Sequence, residues 1–440
     1  MKVLAMAMAV VIFLTACGPK GDYKTFTKDP LLYSKTVKRL NDVVLENNFP
    51  PMIGSRNYVY ANIAAYECMV AGDPAYQSLA GQIKHLPALP QPEAGKEIDY
   101  PLAALLSFTK VGNAVTFPEG SLMGYYDELK HMADSAGMPA TVLENTVAYS
   151  DAIVKAILDW SKKDNYAQTR TASRYTVLDS PGRWVPTPPM YASGVEPHWR
   201  EIRPMILDSA SECMPVRPPV FDIQNKNSVY YKALLEVKNV GDSLTDEQKH
   251  IADFWDDNPF KLNVTGHVMY ATKKFSPPGH WMNIVGIAAK TAKADFSATV
   301  AAYTQTAIAS FDAFISCWDE KYRSNYVRPE TVINKVLSPD WRPYIQTPPF
   351  PSYTSGHATV SAAVAEAMTA NFGDNLAFTD TSLLEFGIKN REIKSFRGAA
   401  AEAAMSRLYG GIHYRFDNDN GAVAGKKLGE LVVQRIRMKK

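Results

Sequence analysis

Apolar residues recur at helical spacing through positions 33–47, 58–70, 102–111, 138–162, 229–237 and 296–318, while the two-residue alternation of a half-buried strand is nowhere sustained. A chain patterned in this way buries its apolar stripes helix against helix, which predicts an all-α bundle. Its 440 residues suffice for two packed helical halves. Prolines from Pro181 to Pro219 break up helix formation across 169–221 and mark a hinge there, giving helical regions over 31–215 and 222–440. A second irregular stretch, Ser276-Pro277-Pro278-Gly279-His280-Trp281, is expected to separate two helices. It would put His280 and Trp281 on a loop lining a cleft entrance, with a purely structural histidine as the other reading.

The N-terminus reads as a processing signal, because Lys2 precedes an apolar stretch over 3–14 that ends at Thr15-Ala16-Cys17 and is too short to span a bilayer. Leu14-Thr15-Ala16-Cys17 resembles a bacterial lipobox. The resemblance implies removal of residues 1–16, lipidation of Cys17, a polar tether over 17–30, and an extracytoplasmic protein held to a bacterial membrane by its lipid alone. A plain secretory peptide is the alternative. No later segment has about 18 uninterrupted apolar residues. Cys68, Cys213 and Cys317 remain, an odd set without zinc spacing, and are expected to be buried thiols. With 46% hydrophobic residues, 21% charged and a net charge of +2, the chain shows no polyanion-binding character, so no nucleic-acid partner is expected.

Chemistry concentrates in three ordered blocks: Lys321-x6-Arg328-Pro329, Ser355-Gly356-His357, and Ser406-Arg407-x5-His413-x3-Asp417. On a continuous helix Lys321 and Arg328 would share one face, offset by about 20°. Ser355-Gly356-His357 follows a proline-punctuated run and precedes a strong helical pattern, which places it at a helix N-terminus where free amides face an anion. Gly410-Gly411 should end the helix that carries Arg407 and leave His413 in the turn beyond. Asp417 is then near enough to accept a hydrogen bond from one ring nitrogen of His413 and free the other for an electrophile. Taken singly, these are also what a surface cation pair, a serine N-cap and a structural His/Asp pair look like. As a set they supply fixed cations, amides and two histidines for a tetrahedral oxyanion.

The set resembles the signature of the type 2 phosphatidic acid phosphatase and vanadium-dependent haloperoxidase superfamily, whose fold is all-α. The resemblance implies that Lys321, Arg328, Ser355, Gly356 and Arg407 bind the oxyanion's equatorial oxygens, His413 bonds its central atom, His357 is the acid–base group and Asp417 orients His413. Thr354 stands where the family often has a proline, a departure that bears on loop rigidity.

Two reactions fit this signature. The first is peroxide-dependent halide oxidation at vanadate held by His413, a reaction without haem. The other is phosphomonoester hydrolysis, in which His413 forms a phosphohistidine and His357 protonates the leaving alkoxide, then activates water. Trp318 and Phe350 resemble aromatic positions near vanadate in the fungal chloroperoxidase-like branch, which favours the haloperoxidase. They also read as ordinary core aromatics. The expected partners are peroxide and halide or, in the alternative, a phosphate ester. A surface-anchored binding protein that keeps the pocket without turnover is the non-enzymatic reading.

Overall fold

The computed structural model describes residues 22–178, 180–258, 262–265, 268–271 and 274–440. The expected signal peptide, Cys17 and the start of the tether lie outside the described residues. Helices form where the periodicity places them, including Pro30–Glu46, Pro51–Val70, Tyr100–Ala114, Ala140–Ser161, Val229–Asp242 and Phe296–Ser324. Several start on a side-chain cap that the sequence displays. Asp99 accepts from the Leu102 amide at 2.8 Å, and Asp295 accepts from that of Ala298 at 2.8 Å. Strand among the described residues is confined to two antiparallel hairpins, Leu262–Thr265 with Val268–Ala271 and Phe378–Asp380 with Arg391–Ile393.

The axis of the molecule is the helix Phe296–Ser324, in which every residue from Thr299 to Lys321 is buried. A helix enclosed on all faces needs partners on all sides. Pro51–Val70 packs on it from the N-terminal region, and Gly356–Phe372 and Arg415–Arg435 from the C-terminal region. One hydrophobic core therefore runs from Leu32 to Met438, shared by the two expected halves. The proline-rich segment between them is laced to this axis. Trp318 Nε1 donates to the Val195 carbonyl at 3.1 Å, the Trp184 amide to that of Asn325 at 2.9 Å, and the Asp312 carboxylate accepts from the amides of Met205, Ile206 and Leu207. Cys68, Cys213 and Cys317 are buried free thiols. No helix among the described residues is long and apolar enough to cross a membrane.

Two expectations are corrected here. The polar stretch before residue 30 includes a short helix, Tyr23–Thr27, capped by Asp22 and pinned where the buried Thr27 hydroxyl donates to Asp99 at 3.0 Å. Ser276 to Trp281 is also no loop. Ser276 is the N-cap and Pro277 and Pro278 are the first residues of the helix Pro277–Thr291. Proline is compatible with the first turn of a helix, since the amides it removes there have no intrahelical acceptor. His280 and Trp281 are consequently buried inside the protein and do not line an entrance.

Glycines decide how closely the site-bearing helices approach. A Cβ on Gly425 would lie 2.0 Å from the Thr359 carbonyl oxygen, and one on Gly429 2.5 Å from that of Ala363. This contact between Arg415–Arg435 and Gly356–Phe372 brings Asp417 beside Ser355, whose amide donates to the Asp417 carbonyl at 3.0 Å. Gly425→Val is expected to lower stability by about 1–3 kcal/mol through overpacking. Gly124→Ala, where an added Cβ meets nothing, should leave stability unchanged or raise it slightly, and thermal denaturation of the two variants checks both outcomes.

Candidate active site

The first block works because the helix breaks inside it. Asn325 takes a left-handed conformation, φ 49°, and closes Phe296–Ser324 with its amide on the Lys321 carbonyl at 2.9 Å. Pro329 keeps Arg328 extended, φ −76° and ψ 148°, as the N-cap of Pro329–Val336. Lys321 and Arg328 therefore do not share a face of one continuous helix, as the seven-residue spacing suggested. They project from the end of one helix and the start of the next.

Both cations are fully buried and are held by backbone carbonyls. Lys321 Nζ donates to Pro351, Ser352 and Thr354 at 2.9, 3.0 and 2.6 Å. Arg328 Nε donates to Phe350 at 2.9 Å and its Nη1 to Ile412 at 2.8 Å. The proline-punctuated run before the second block is thus the cradle of the first. Thr354, where the family often has proline, is one of the three oxygens around Lys321, so this loop is tied by hydrogen bonds.

The second block lies at a helix start, as its context predicts. Ser355 is the N-cap of Gly356–Phe372 and its hydroxyl accepts from the Ala358 amide at 3.4 Å, which leaves its own proton free to donate. Gly356 faces Trp318, whose ring would be 3.7 Å from an added Cβ. His357 keeps a 16% exposed side chain, and its Nε2 has no hydrogen-bond partner among the described residues and lies 4.0 Å from Asp257.

The third block also follows expectation. Helix Phe396–Tyr409 ends at Gly410, and Gly411 turns the chain with φ 77°. Arg407, in the last turn, is buried, donates to Ser406 Oγ at 3.0 Å and to the Asp256 carbonyl at 3.3 Å, and also bonds the Trp255 carbonyl. His413 Nδ1 is 2.8 Å from Asp417 Oδ2. A carboxylate only accepts, so Nδ1 carries the proton and Nε2 is left as a lone pair, 3.0 Å from Arg328 Nη1.

Part of this set lines one small cleft of about 30 Å³, bounded by Trp318, Phe350, Gly356, His357, Arg407 and His413, while Lys321, Arg328 and Ser355 lie outside its lining. Trp318 and Phe350 are buried and meet at 5.0 Å between ring centroids. A larger cleft of about 550 Å³ lies near Tyr23 and Phe296 and has no histidine in its lining. The smaller one brings two histidines, His357 and His413, to a buried cation, Arg407. Sequence reasoning missed Asp256, Asp257 and Asn258, which also line it. The three follow Trp255 and precede a proline, the look of a surface turn, and only folding brings them to Arg407 and His357.

Burial costs the cations of the site more than the neighbouring carboxylates return. It pushes Lys321 down to about 7, and Arg328 and Arg407 down to about 10. His413 and His357 are held well below the ordinary imidazole value by burial and then by neighbouring cations, first Arg328 for His413 and Arg407 for His357. Asp417 is raised to about 6, mainly by burial, against the hydrogen bond from Ser352. A tetrahedral oxyanion would relieve this imbalance. Arg328 Nη2 is buried with no partner among the described residues, a donor of the kind such a guest requires.

No curated protein matches the sequence. Residues 301–439 match the model of the VCPO second helical-bundle domain. The crystal structure of a protein described as the first bacterial vanadium-dependent iodoperoxidase is similar with TM-score 0.88 and 42% identity, over 93% of this chain and 97% of that one. Holo- and apo-type structures of a bacterial vanadium-dependent chloroperoxidase share only the fold, with TM-score 0.66 and 18% identity over 88% of this chain and 92% and 95% of theirs.

The charge imbalance generates a pH prediction. A bound oxyanion favours protonated Lys321, so its pKa is higher in the complex than the free value of about 7. Below that value the lysine is already charged and binding takes up no proton. Above it each binding event takes up a proton, so affinity falls as pH rises, by up to about tenfold per unit until the bound-state pKa is passed. Tungstate, a dianion throughout this range, should show the trend in calorimetry, with Lys321→Met binding more weakly and losing the slope.

Proposed function

This chain belongs to the vanadium-dependent haloperoxidase family, and from that premise we propose that it oxidises halide, with iodide preferred, at vanadate held by His413 in the cleft between Trp318 and Arg407. The family membership rests on the 42% identity across nearly the whole of the iodoperoxidase. The iodide preference is carried over from that protein. Support from this chain lies in one observation: a cleft lined by Arg407, His357, His413 and the helix-start residue Gly356 has buried Arg328 directly behind it, 3.0 Å from His413 Nε2.

The donor set fits vanadate. Lys321, Arg328, Ser355, Gly356 and Arg407 would hold its oxygens, and His413 its metal through Nε2. Bound vanadate supplies the Lewis acidity that activates peroxide toward halide. The protein's part is positional and protonic. Asp417 keeps the proton on Nδ1 of His413, so that Nε2 stays a ligand. Lys321, fixed by three carbonyls beside the rings of Phe350 and Trp318, contributes positive charge where an oxygen becomes electron-rich. The net reaction joins halide, peroxide and a proton to give hypohalous acid and water. His357, neutral in the free site, can take a proton from incoming peroxide and return it to the departing water.

Leu14-Thr15-Ala16-Cys17 supports the further reading that the enzyme is exported and lipid-anchored. Cys17→Ser is then expected to move the protein from the membrane to the soluble fraction of the host cell, read by fractionation and labelling with an azido fatty acid.

Purified protein reconstituted with orthovanadate should oxidise iodide with peroxide, and bromide or chloride more slowly. His413→Ala should lower the rate by at least about a hundredfold, as expected on loss of a directly acting group. Phosphate release from an aryl phosphate, inhibited by vanadate and without halide oxidation, would instead favour the phosphomonoesterase reading. Full iodide oxidation by His413→Ala would refute the site assignment.

A further inference from the structure

Behind His357 lies a second group of buried charges that the oxyanion cage does not use. His280, fully buried in the first turn of Pro277–Thr291, is gripped from both sides. Its Nδ1 is 3.1 Å from each carboxylate oxygen of Asp257, and its Nε2 is 3.0 Å from Asp380 Oδ2. Both ring nitrogens face acceptors, so both carry protons and the ring is an imidazolium. Burial opposes that charge, but the two carboxylates outweigh it and raise His280 to about 10. Trp255 stacks on the ring at 4.8 Å.

Each neighbour in this group leads toward the cleft. Asp257 has φ 38°, the left-handed region that a non-glycine residue occupies only when its surroundings hold it there. The same Oδ2 that His280 binds lies 4.0 Å from His357 Nε2. The adjoining backbone, the carbonyls of Trp255 and Asp256, accepts from Arg407. Asp380 is anchored in turn, since it pairs with Arg391 across the hairpin and accepts from the Ser382 amide at 2.9 Å.

We propose that His280, clamped by Asp380, is a positioning residue that fixes the Asp257 carboxylate against His357 and so orients the acid–base histidine of the haloperoxidase. His280 itself touches neither cofactor nor substrate; it holds Asp257 in place, and its own positive charge also opposes protonation of His357, which bonds the Trp255 backbone as well. Without it, two carboxylates would face each other in a dry interior, and Asp257 would turn away or take up a proton. His357 would then lose the anion that favours its protonated form during turnover. Arg407 would keep its backbone acceptors and Ser406, so oxyanion binding should survive. The inference rests on the haloperoxidase reading for its kinetic test and stands without it for the spectroscopic one.

The test is a double-mutant cycle between His280→Gln and Asp257→Asn, in full-length protein. Reconstituted with orthovanadate, His280→Gln should lower kcat for iodide oxidation by about tenfold, the low end for loss of an outer partner of an active-site group. Its affinity for vanadate should stay within about twofold of the parent. In the Asp257→Asn background the same substitution should have a clearly smaller effect, limited to the direct action of the His280 charge on His357. In vanadate-free protein, the ¹⁵N shifts of the His357 ring should be displaced by either substitution and not additively by both. If His280→Gln is poorly folded, Asp380→Asn, which keeps a side-chain acceptor for Nε2, takes its place in the cycle with a smaller loss expected. Additive losses, an effect confined to melting temperature or vanadate affinity, or parental kcat and ring shifts would overturn the proposal. Absence of iodide oxidation in the parent would count against the proposed function, and the ring shifts would still decide the role of His280.

Discussion

The structure is organised around buried positive charge that no carboxylate among the described residues pairs with directly. Lys321, Arg328 and Arg407 each donate to backbone carbonyls, which orient a cation without cancelling it. A carboxylate in the same positions would close the site to an anion. Carbonyls stabilise the cations enough to be buried and leave a net field for the guest. The cost is visible in the free protein, where burial depresses the pKa of all three.

Carbonyls can serve this purpose only from irregular backbone, because helices use their own internally. The segment 347–354 therefore has to be non-helical, and its prolines ensure that it is. Functional groups accordingly gather at helix ends. Lys321 and Arg407 occupy last turns, Arg328 and Ser355 are N-caps, and Asp417 sits in a first turn. Cations in last turns are favoured by the helix dipole, and amides at a helix start are available to an anion. The glycine contacts between Arg415–Arg435 and Gly356–Phe372 then set how near these ends come.

Two charged systems meet at His357 with opposite balance. On one side lie Arg407 and Lys321, whose charges depress its proton affinity. On the other, Asp257 and Asp380 enclose His280, an arrangement with one more negative charge than positive. His357 thus stands at the boundary between positive and negative groups, where a modest displacement of either changes its proton affinity.

How much of this was legible in the sequence depended on whether a residue's role is local. The helices, the N-cap at Ser355, the glycine stop after Arg407 and the His413–Asp417 pair follow from short-range rules, and the structure agrees with each. Lys321 and Arg328 were expected on one helix face, but the helix ends between them, because a left-handed Asn325 is one of several conformations that asparagine permits. His280 was misplaced onto a loop, since Pro277-Pro278 marks a turn and a helix start equally well. Asp257 and Asp380 carried no local signal at all. The sequence by itself determined an all-α chain and the local settings of its three ordered blocks, because periodicity, caps and turns are properties of neighbouring residues. Only the tertiary structure decided which carbonyls neutralise nothing yet hold the cations, and which distant carboxylates stand behind His357, because such contacts are set by how helices pack and not by their spacing along the chain.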